Sequence, residues 1–180
     1  AFDNPDMPFY FVQIAGFQQP VTVQPRSEWA ALRQAQAKAL ELLHTGMATA
    51  IDIGNPVDIH PTNKAEVARR LALLALDKTY GRYQTCEAPV YTEVAIDGHV
   101  MTLSFDGPVY PVGGAVTGFI IGDKDGNWAY AHAEMQGDRV VRLSSSLIDK
   151  PVAARYNWAD YPGGNLYGAN SLPVLPFAAE

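Results

Sequence analysis

Met47-Ala48-Thr49-Ala50-Ile51-Asp52-Ile53 runs into Gly54-Asn55-Pro56-Val57-Asp58-Ile59-His60-Pro61, and Thr62-Asn63 follows. The first part is short and apolar, as in a strand covered on both faces. The second part is rich in turn formers. Beyond it, residues 63–79 carry a helical pattern with Thr62 as the expected N-cap. Their run Leu71-Ala72-Leu73-Leu74-Ala75-Leu76 is apolar almost all round, so most of that helix is expected to be buried. Upstream, Phe9-Tyr10-Phe11-Val12-Gln13-Ile14-Ala15 reads as another buried strand. Residues 28–44 between the two strands read as a helix, with Ser27 as N-cap and Gly46 as stop. Trp29, Leu32, Ala39, Leu40 and Leu43 form its apolar face, and Arg33, Lys38 and Glu41 lie off that face. Strand, helix, strand, helix predicts a parallel α/β unit over residues 1–81.

The pattern changes at Gly81. Val90–Ile96 and His99–Phe105 flank Asp97-Gly98, a two-residue hairpin signal. Ala115–Ile121 and Trp128–Ala133 flank Gly122-Asp123-Lys124-Asp125-Gly126-Asn127. Arg139–Leu143 and Val152–Trp158 are further strand candidates. Short strands at this spacing predict an antiparallel β-sandwich over residues 82–180, so the expected class is α/β plus all-β. The α/β part is unbalanced: two strands and two helices cannot cover one another's apolar faces, and sheets generally hold more strands. Either the β part or a partner segment is expected to supply the missing cover.

With 48% apolar and 18% charged residues the chain can build a core and is not a disordered segment. Thirteen Lys and Arg against 19 Asp and Glu give a net charge of -6, which argues against a nucleic-acid surface. No apolar run reaches the ~20 residues of a membrane helix. The single cysteine, Cys86, excludes an internal disulfide and reads as a packing residue.

The loop at residues 52–61 leaves the C-terminal end of a strand, which is where ligands bind in open α/β sheets. A histidine at that place can act as general base, because imidazole exchanges protons near neutrality. A neighbouring carboxylate, Asp58 or Asp52, can fix its tautomer. Two other readings stay open: a solvated surface loop, and a metal site in which Asp52, Asp58 and His60 are ligands.

Gly46 to Gly54, then Asp58-Ile59-His60-Pro61, Asn63-Lys64, Arg70-Leu71-Ala72 and Tyr80-Gly81 together resemble sialate O-acetylesterase and its bacterial relatives, which are SGNH-type carbohydrate esterases. Phe11-Val12-Gln13, Trp29, Leu32-Arg33 and Gln36 fit the same order upstream. Ala154-Arg155-Tyr156-Asn157-Trp158-Ala159, Asn165-Leu166-Tyr167 and Leu172-Pro173-Val174-Leu175-Pro176-Phe177 fit it downstream. That family's serine nucleophile lies in a Gly-Gln-Ser-Asn block, and this sequence has no such block and no Gly-x-Asn-Asp element. The resemblance therefore implies the C-terminal portion of a flavodoxin-like SGNH domain, followed by the β domain. It implies an acetylated carbohydrate as substrate, a nucleophile from a missing N-terminal segment or companion chain, and no metal or organic cofactor. It also implies a periplasmic or secreted place and a chain inactive by itself. His60 aligns with the catalytic histidine. The family's aspartate lies three residues before it, where this chain has Val57, so Asp58 is the chosen acid and Asp52 the alternative; a backbone carbonyl could also serve. A different class of reading is a non-catalytic carbohydrate-binding β-sandwich.

Of the remaining residues, His44 reads as a helix-end residue, and His99 and His132 as structural. Asp123, Asp125 and Asn127 fit part of a calcium loop but lack its glutamate, and turn chemistry explains them. Tyr156, Trp158, Tyr161 and Tyr167 read as packing or, less simply, as a platform for a sugar ring. Gln13 is given no role. The exposed sheet edge expected of a partial catalytic domain also predicts self-association.

Overall fold

The computed structural model describes residues 3–82 and 85–180. Strand β1 (Phe9–Gln13) leads through helix α1 (Glu28–Lys38) to β2 (Thr45–Thr49), and α2 (Lys64–Leu74) follows. β1 and β2 pair in parallel, from Phe9 opposite Thr45 to Gln13 opposite Thr49. Tyr10 lies opposite Gly46, and its ring fills the space that a side chain there would need: a Cβ on Gly46 would sit 2.8 Å from it. Tyr10, Leu71 and Leu73 pack against buried Ala48, Leu74 and Cys86, which forms the small core on the α2 side. On the other side, buried Gln13 donates to the Arg33 carbonyl of α1.

Several local expectations shift. The helix expected over 28–44 ends at Lys38; a 3-10 turn spans Ala39–Glu41, and His44 turns into the left-handed region at φ 60°. The Thr45 hydroxyl bonds to the Ala39 and Leu42 carbonyls, so the end of the helix is satisfied early and Gly46 lies inside β2 rather than stopping a helix. Leu43, placed on the apolar face, is 86% exposed, and Arg33, placed off it, is fully buried. β2 ends at Thr49, since Ala50–Ile53 closes into a turn. α2 is capped by Asn63, not Thr62: Asn63 Oδ1 accepts from Glu66 N. Its α-helical part stops at Leu74 and continues as a π-helical turn over Ala75–Thr79. Leu74 is buried, but Ala72 and Leu76 are exposed, so one face of α2 is covered and not its whole girth.

The rest is antiparallel. It comprises β3 (Tyr91–Asp97), β4 (Val100–Phe105), β5 (Val109–Pro111), β6 (Phe119–Asp123), β7 (Trp128–Tyr130), β8 (His132–Met135), β9 (Val140–Ser144), β10 (Pro151–Tyr156), β11 (Leu166–Gly168) and β12 (Phe177–Ala179). One four-stranded sheet has the order β3-β4-β9-β8 and another β12-β10-β6-β7; β11 and β5 pair separately. The inner faces of the two larger sheets share one core around Met101, Leu103, Phe119, Ile121, Leu143 and Tyr156. The first hairpin turns at Gly98-His99, one residue later than expected, with Gly98 at φ 57° and Asp97 paired to Val100. The run Trp128–Ala133 is two strands in different sheets, broken at Ala131. Residues 115–118 lie before β6 rather than in it. After residue 90 no helix occurs among the described residues, and no helix in them is long and apolar enough to cross a membrane.

Candidate active site

The β1 and β2 strands both end at the same edge of their sheet, and the loops 14–18 and 50–63 leave from it. The two loops touch at glycines: a Cβ on Gly54 would lie 2.1 Å from the Gly16 carbonyl oxygen, so only glycine allows this crossing. Two Asx turns then wind the second loop. Asn55 Oδ1 accepts from Val57 N (2.9 Å) and Asp58 N (3.3 Å), and Asp58 Oδ1 accepts from His60 N (2.8 Å).

That winding brings Asp58 and His60 together. Asp58 Oδ1 is 3.3 Å from His60 Nδ1, and the His60 side chain is 84% exposed. The backbone N–H of His60 holds the Asp58 carboxyl below its ordinary value, so the group beside the ring is a carboxylate. With Nδ1 on the carboxylate, Nε2 is the nitrogen left for a proton-transfer partner.

Asp52 is engaged elsewhere. Arg70 Nη1 and Nη2 donate to its two oxygens at 2.7 Å each, and the Tyr167 hydroxyl donates to Oδ2 at 3.0 Å. Arg70 is buried and also donates to the Thr49 carbonyl and to Glu66. Burial disfavours its charge, but the Asp52 and Glu66 carboxylates outweigh that and raise its pKa. Hydrogen bonds from Arg69, with burial opposing and Arg70 assisting, bring Glu66 down to about 2. Burial, with Asp52 beside it, pushes the Tyr167 phenol up to about 12. This cluster ties the end of β2 to α2 and to β11.

Arg33 makes the second tie. Its guanidinium donates to the carbonyls of Ile14, Ala15, Ala159 and Asp160 at 2.7–3.1 Å, and burial lowers its pKa to about 10. Asp160 accepts from the Ser27 hydroxyl and from Gln24. Gln13 is part of the same support: Thr49 Oγ1 donates to its Oε1, and its amide donates to Arg33 O. Arg33, Arg70 and Gln13 escape sequence reasoning as supports of the loop, because their partners lie far along the chain. For Arg70 a signal exists: Glu66-x-x-x-Arg70 is an (i, i+4) pair behind a strand-end aspartate.

The aromatic residues divide. Tyr156 is buried and its hydroxyl accepts from Leu166 N; Tyr167 serves Asp52. Trp158 and Tyr161 line a cleft described below. Cys86 is a buried thiol that donates to Asp77, with its pKa pushed up to about 12 by burial first. His44 lies 3.3 Å from Asp6, and His132 lies 2.9 Å from Glu134; His99 sits in the hairpin turn. Asp123 Oδ1 accepts from Asp125 N and Asn127 N, as turn chemistry requires. Among the described residues no group of three or more His, Cys, Asp or Glu side chains is placed to hold a metal ion.

Among the described residues no strand pairs with the outer edge of β1. Phe9 N donates to His44 O, so Phe9, Phe11 and Gln13 direct their backbone groups to β2, and Val12 and Ile14 direct theirs away. The Gln36 side chain meets two of the latter: Ile14 N donates to Oε1 and Nε2 donates to Val12 O. Beside this edge, between α1 and α2, runs a groove of about 400 Å³ lined by Val12, Ile14, Trp29, Leu32, Ile59 and Val67.

No protein-family model and no curated protein matches the chain. Among solved structures it is similar to a carbohydrate acetylesterase from Xanthomonas citri, with 42% sequence identity and a TM-score of 0.88. The match takes in 97% of this chain and 41% of the other, so the chain spans less than half of that protein's length. The likeness is thus to a carbohydrate esterase, and it extends over the α/β part and the β part alike.

Proposed function

We propose that this chain is part of a carbohydrate O-acetylesterase of the sialate O-acetylesterase kind. In this reading residues 1–81 are the C-terminal portion of a flavodoxin-like SGNH domain and residues 82–180 are a β-sandwich. The observation that carries it is the exposed His60 ring, with Nδ1 on the Asp58 carboxylate, at the C-terminal edge of a parallel sheet. The similarity to a carbohydrate acetylesterase supports reading that dyad as part of an ester-hydrolysing site.

The nucleophile is a serine on a segment outside this chain. His60 Nε2 takes the hydroxyl proton as the serine oxygen attacks the acetyl carbonyl; the protonated ring then passes that proton to the departing sugar oxygen. Water, deprotonated by the same nitrogen, releases acetate and restores the serine. Asp58 stabilises the imidazolium in both halves. Asp52 is not the acid in this scheme, because Arg70 and Tyr167 occupy its oxygens. The open β1 edge and its apolar groove are where the serine-bearing half adds the next strand of the sheet. A periplasmic or secreted place goes with an acetylated carbohydrate as substrate.

The test is hydrolysis of p-nitrophenyl acetate and of an acetylated oligosaccharide by the complete polypeptide, by this chain, and by the complete polypeptide with His60→Ala. The expected result is activity in the first only. Near-normal kcat in the His60→Ala protein would overturn the assignment.

A further inference from the structure

A second concavity takes no wall from the loop that carries His60. Residues 20–24 stand opposite β7 and the segment that follows β10, and a cleft of about 270 Å³ opens between them. Its aromatic walls are Tyr130, Trp158 and Tyr161, and its polar and aliphatic ones include Val21, Gln24 and Asn157. Among the described residues no Asp, Glu, Lys, Arg or His lines it, so none of them would balance a charged ligand there.

Its walls are fixed before any ligand arrives. Gln24 both donates to Asp160 Oδ2 and accepts from Asp160 N. Asn157, buried and at φ 50°, accepts from Gly164 N. Trp158 is braced by the Arg155 guanidinium, which sits 4.9 Å from its ring and 4.5 Å from that of Trp128. Tyr130 and Val21 at the mouth are about half exposed, at 48% and 51%. Rigid aromatic rings carrying hydroxyls, beside neutral amides, suit a ligand with apolar C–H faces and a rim of hydroxyls. Because little is ordered on binding, such a cleft loses little of its contact energy to entropy.

We propose that this cleft binds an unmodified pyranose unit of a neutral polysaccharide, so that the chain holds its polymer at a point apart from the ester. The placement fits. Tyr161 packs on Gly16, where a Cβ would meet its ring at 3.0 Å, and Gly16 packs on Gly54 of the loop that carries His60. The cleft therefore borders the sheet edge at which the ester would be cut. The substrate class rests on the esterase reading; the binding itself does not need a competent catalytic centre.

The experiment is titration of this chain with cellohexaose, xylohexaose and mannohexaose, followed by tryptophan fluorescence and by NMR of the indole N–H signals. At least one sugar should bind saturably. Tyr130→Ala and Val21→Glu, both at exposed positions, should each weaken binding about tenfold while circular dichroism stays unchanged. In the complete polypeptide Tyr130→Ala should raise KM for an acetylated oligosaccharide and leave kcat and p-nitrophenyl acetate hydrolysis alone. Three outcomes overturn the proposal: no saturable binding of any of the three sugars, binding that neither substitution affects, or tighter binding of a polyproline peptide than of every sugar. If the sugars bind but the complete polypeptide hydrolyses no acetyl ester, the cleft stands and the esterase reading falls.

Discussion

His60 is exposed and touches little besides Asp58, so its replacement tests chemistry rather than folding. His60→Ala in the complete polypeptide should lower kcat on an acetyl ester by about 10²–10⁴-fold, the usual worth of a positioned base, with an unchanged urea midpoint. Asp58→Asn should lower it less, since the Asn Oδ1 can still accept from His60 N and keep the turn that places the ring. Glu66 gives a stability test. Its carboxyl sits at about 2 in the folded chain, below its ordinary 4.5, so it stabilises the fold above pH ~4.5 and that contribution is lost as the pH falls toward 2. Screening at the helix surface limits the gain to ~1 kcal/mol. Urea midpoints measured across that window should fall more steeply for the parent chain than for Glu66→Gln; parallel curves would refute the assignment. The placement of Asp58 and His60 together in the loop between β2 and α2 is legible in the sequence, because strand, turn residues and helix start follow one another there. Arg33 is not: a cation on a helix flank looks solvated until carbonyls 126 and 127 residues away close on it.

The elements show the same division. The change from helical to alternating period marks where α/β gives way to antiparallel strands, but element ends depend on contacts that periodicity does not contain. Thr45 ends the helix region, Asn63 begins α2, and the break at Ala131 sends adjoining strands into different sheets. The short strands β5, β11 and β12 carry three residues each, too few to show a period. β1 adds a test of its own. Gln36 takes two of the outward backbone groups and Arg33 the Ile14 carbonyl, so it is the edge before Val12 and the groove beside it that remain for a further strand. Mixing this chain with a separately produced serine-bearing half should restore ester hydrolysis and give a one-to-one complex by light scattering. Leu32→Glu, at a half-exposed groove position, should leave this chain folded and abolish that complementation. Complementation that survives Leu32→Glu would place the docking surface elsewhere.

At the scale of the whole molecule, the α/β part is too small to close a core unaided, and polar ties join it to the β part while the groove beside β1 stays uncovered. Arg33 satisfies carbonyls on both sides of the junction, Asp160 holds Ser27 and Gln24, and Tyr167 reaches Asp52. The Arg33 and Asp160 ties are half-buried, so their loss leaves polar groups without partners rather than returning them to water, whereas the Tyr167–Asp52 bond is exposed and its loss is partly made good by water. Arg33→Met should therefore cost about 3 kcal/mol, and Tyr167→Phe about 1 kcal/mol, in urea unfolding. A peptide of residues 1–81 should show no cooperative transition, because β1, β2, α1 and α2 lose the carbonyls of Ala159 and Asp160, the Tyr167 hydroxyl and the packing around Cys86 together. Residues 82–180 keep the larger core and should retain a cooperative transition at a lower midpoint. The intact chain should then unfold in a single step seen alike by far-ultraviolet circular dichroism and by tryptophan fluorescence, since Trp29 reports the α/β part and Trp128 and Trp158 the β part. Two separated transitions in those probes would mean that the ties are too weak to couple the parts.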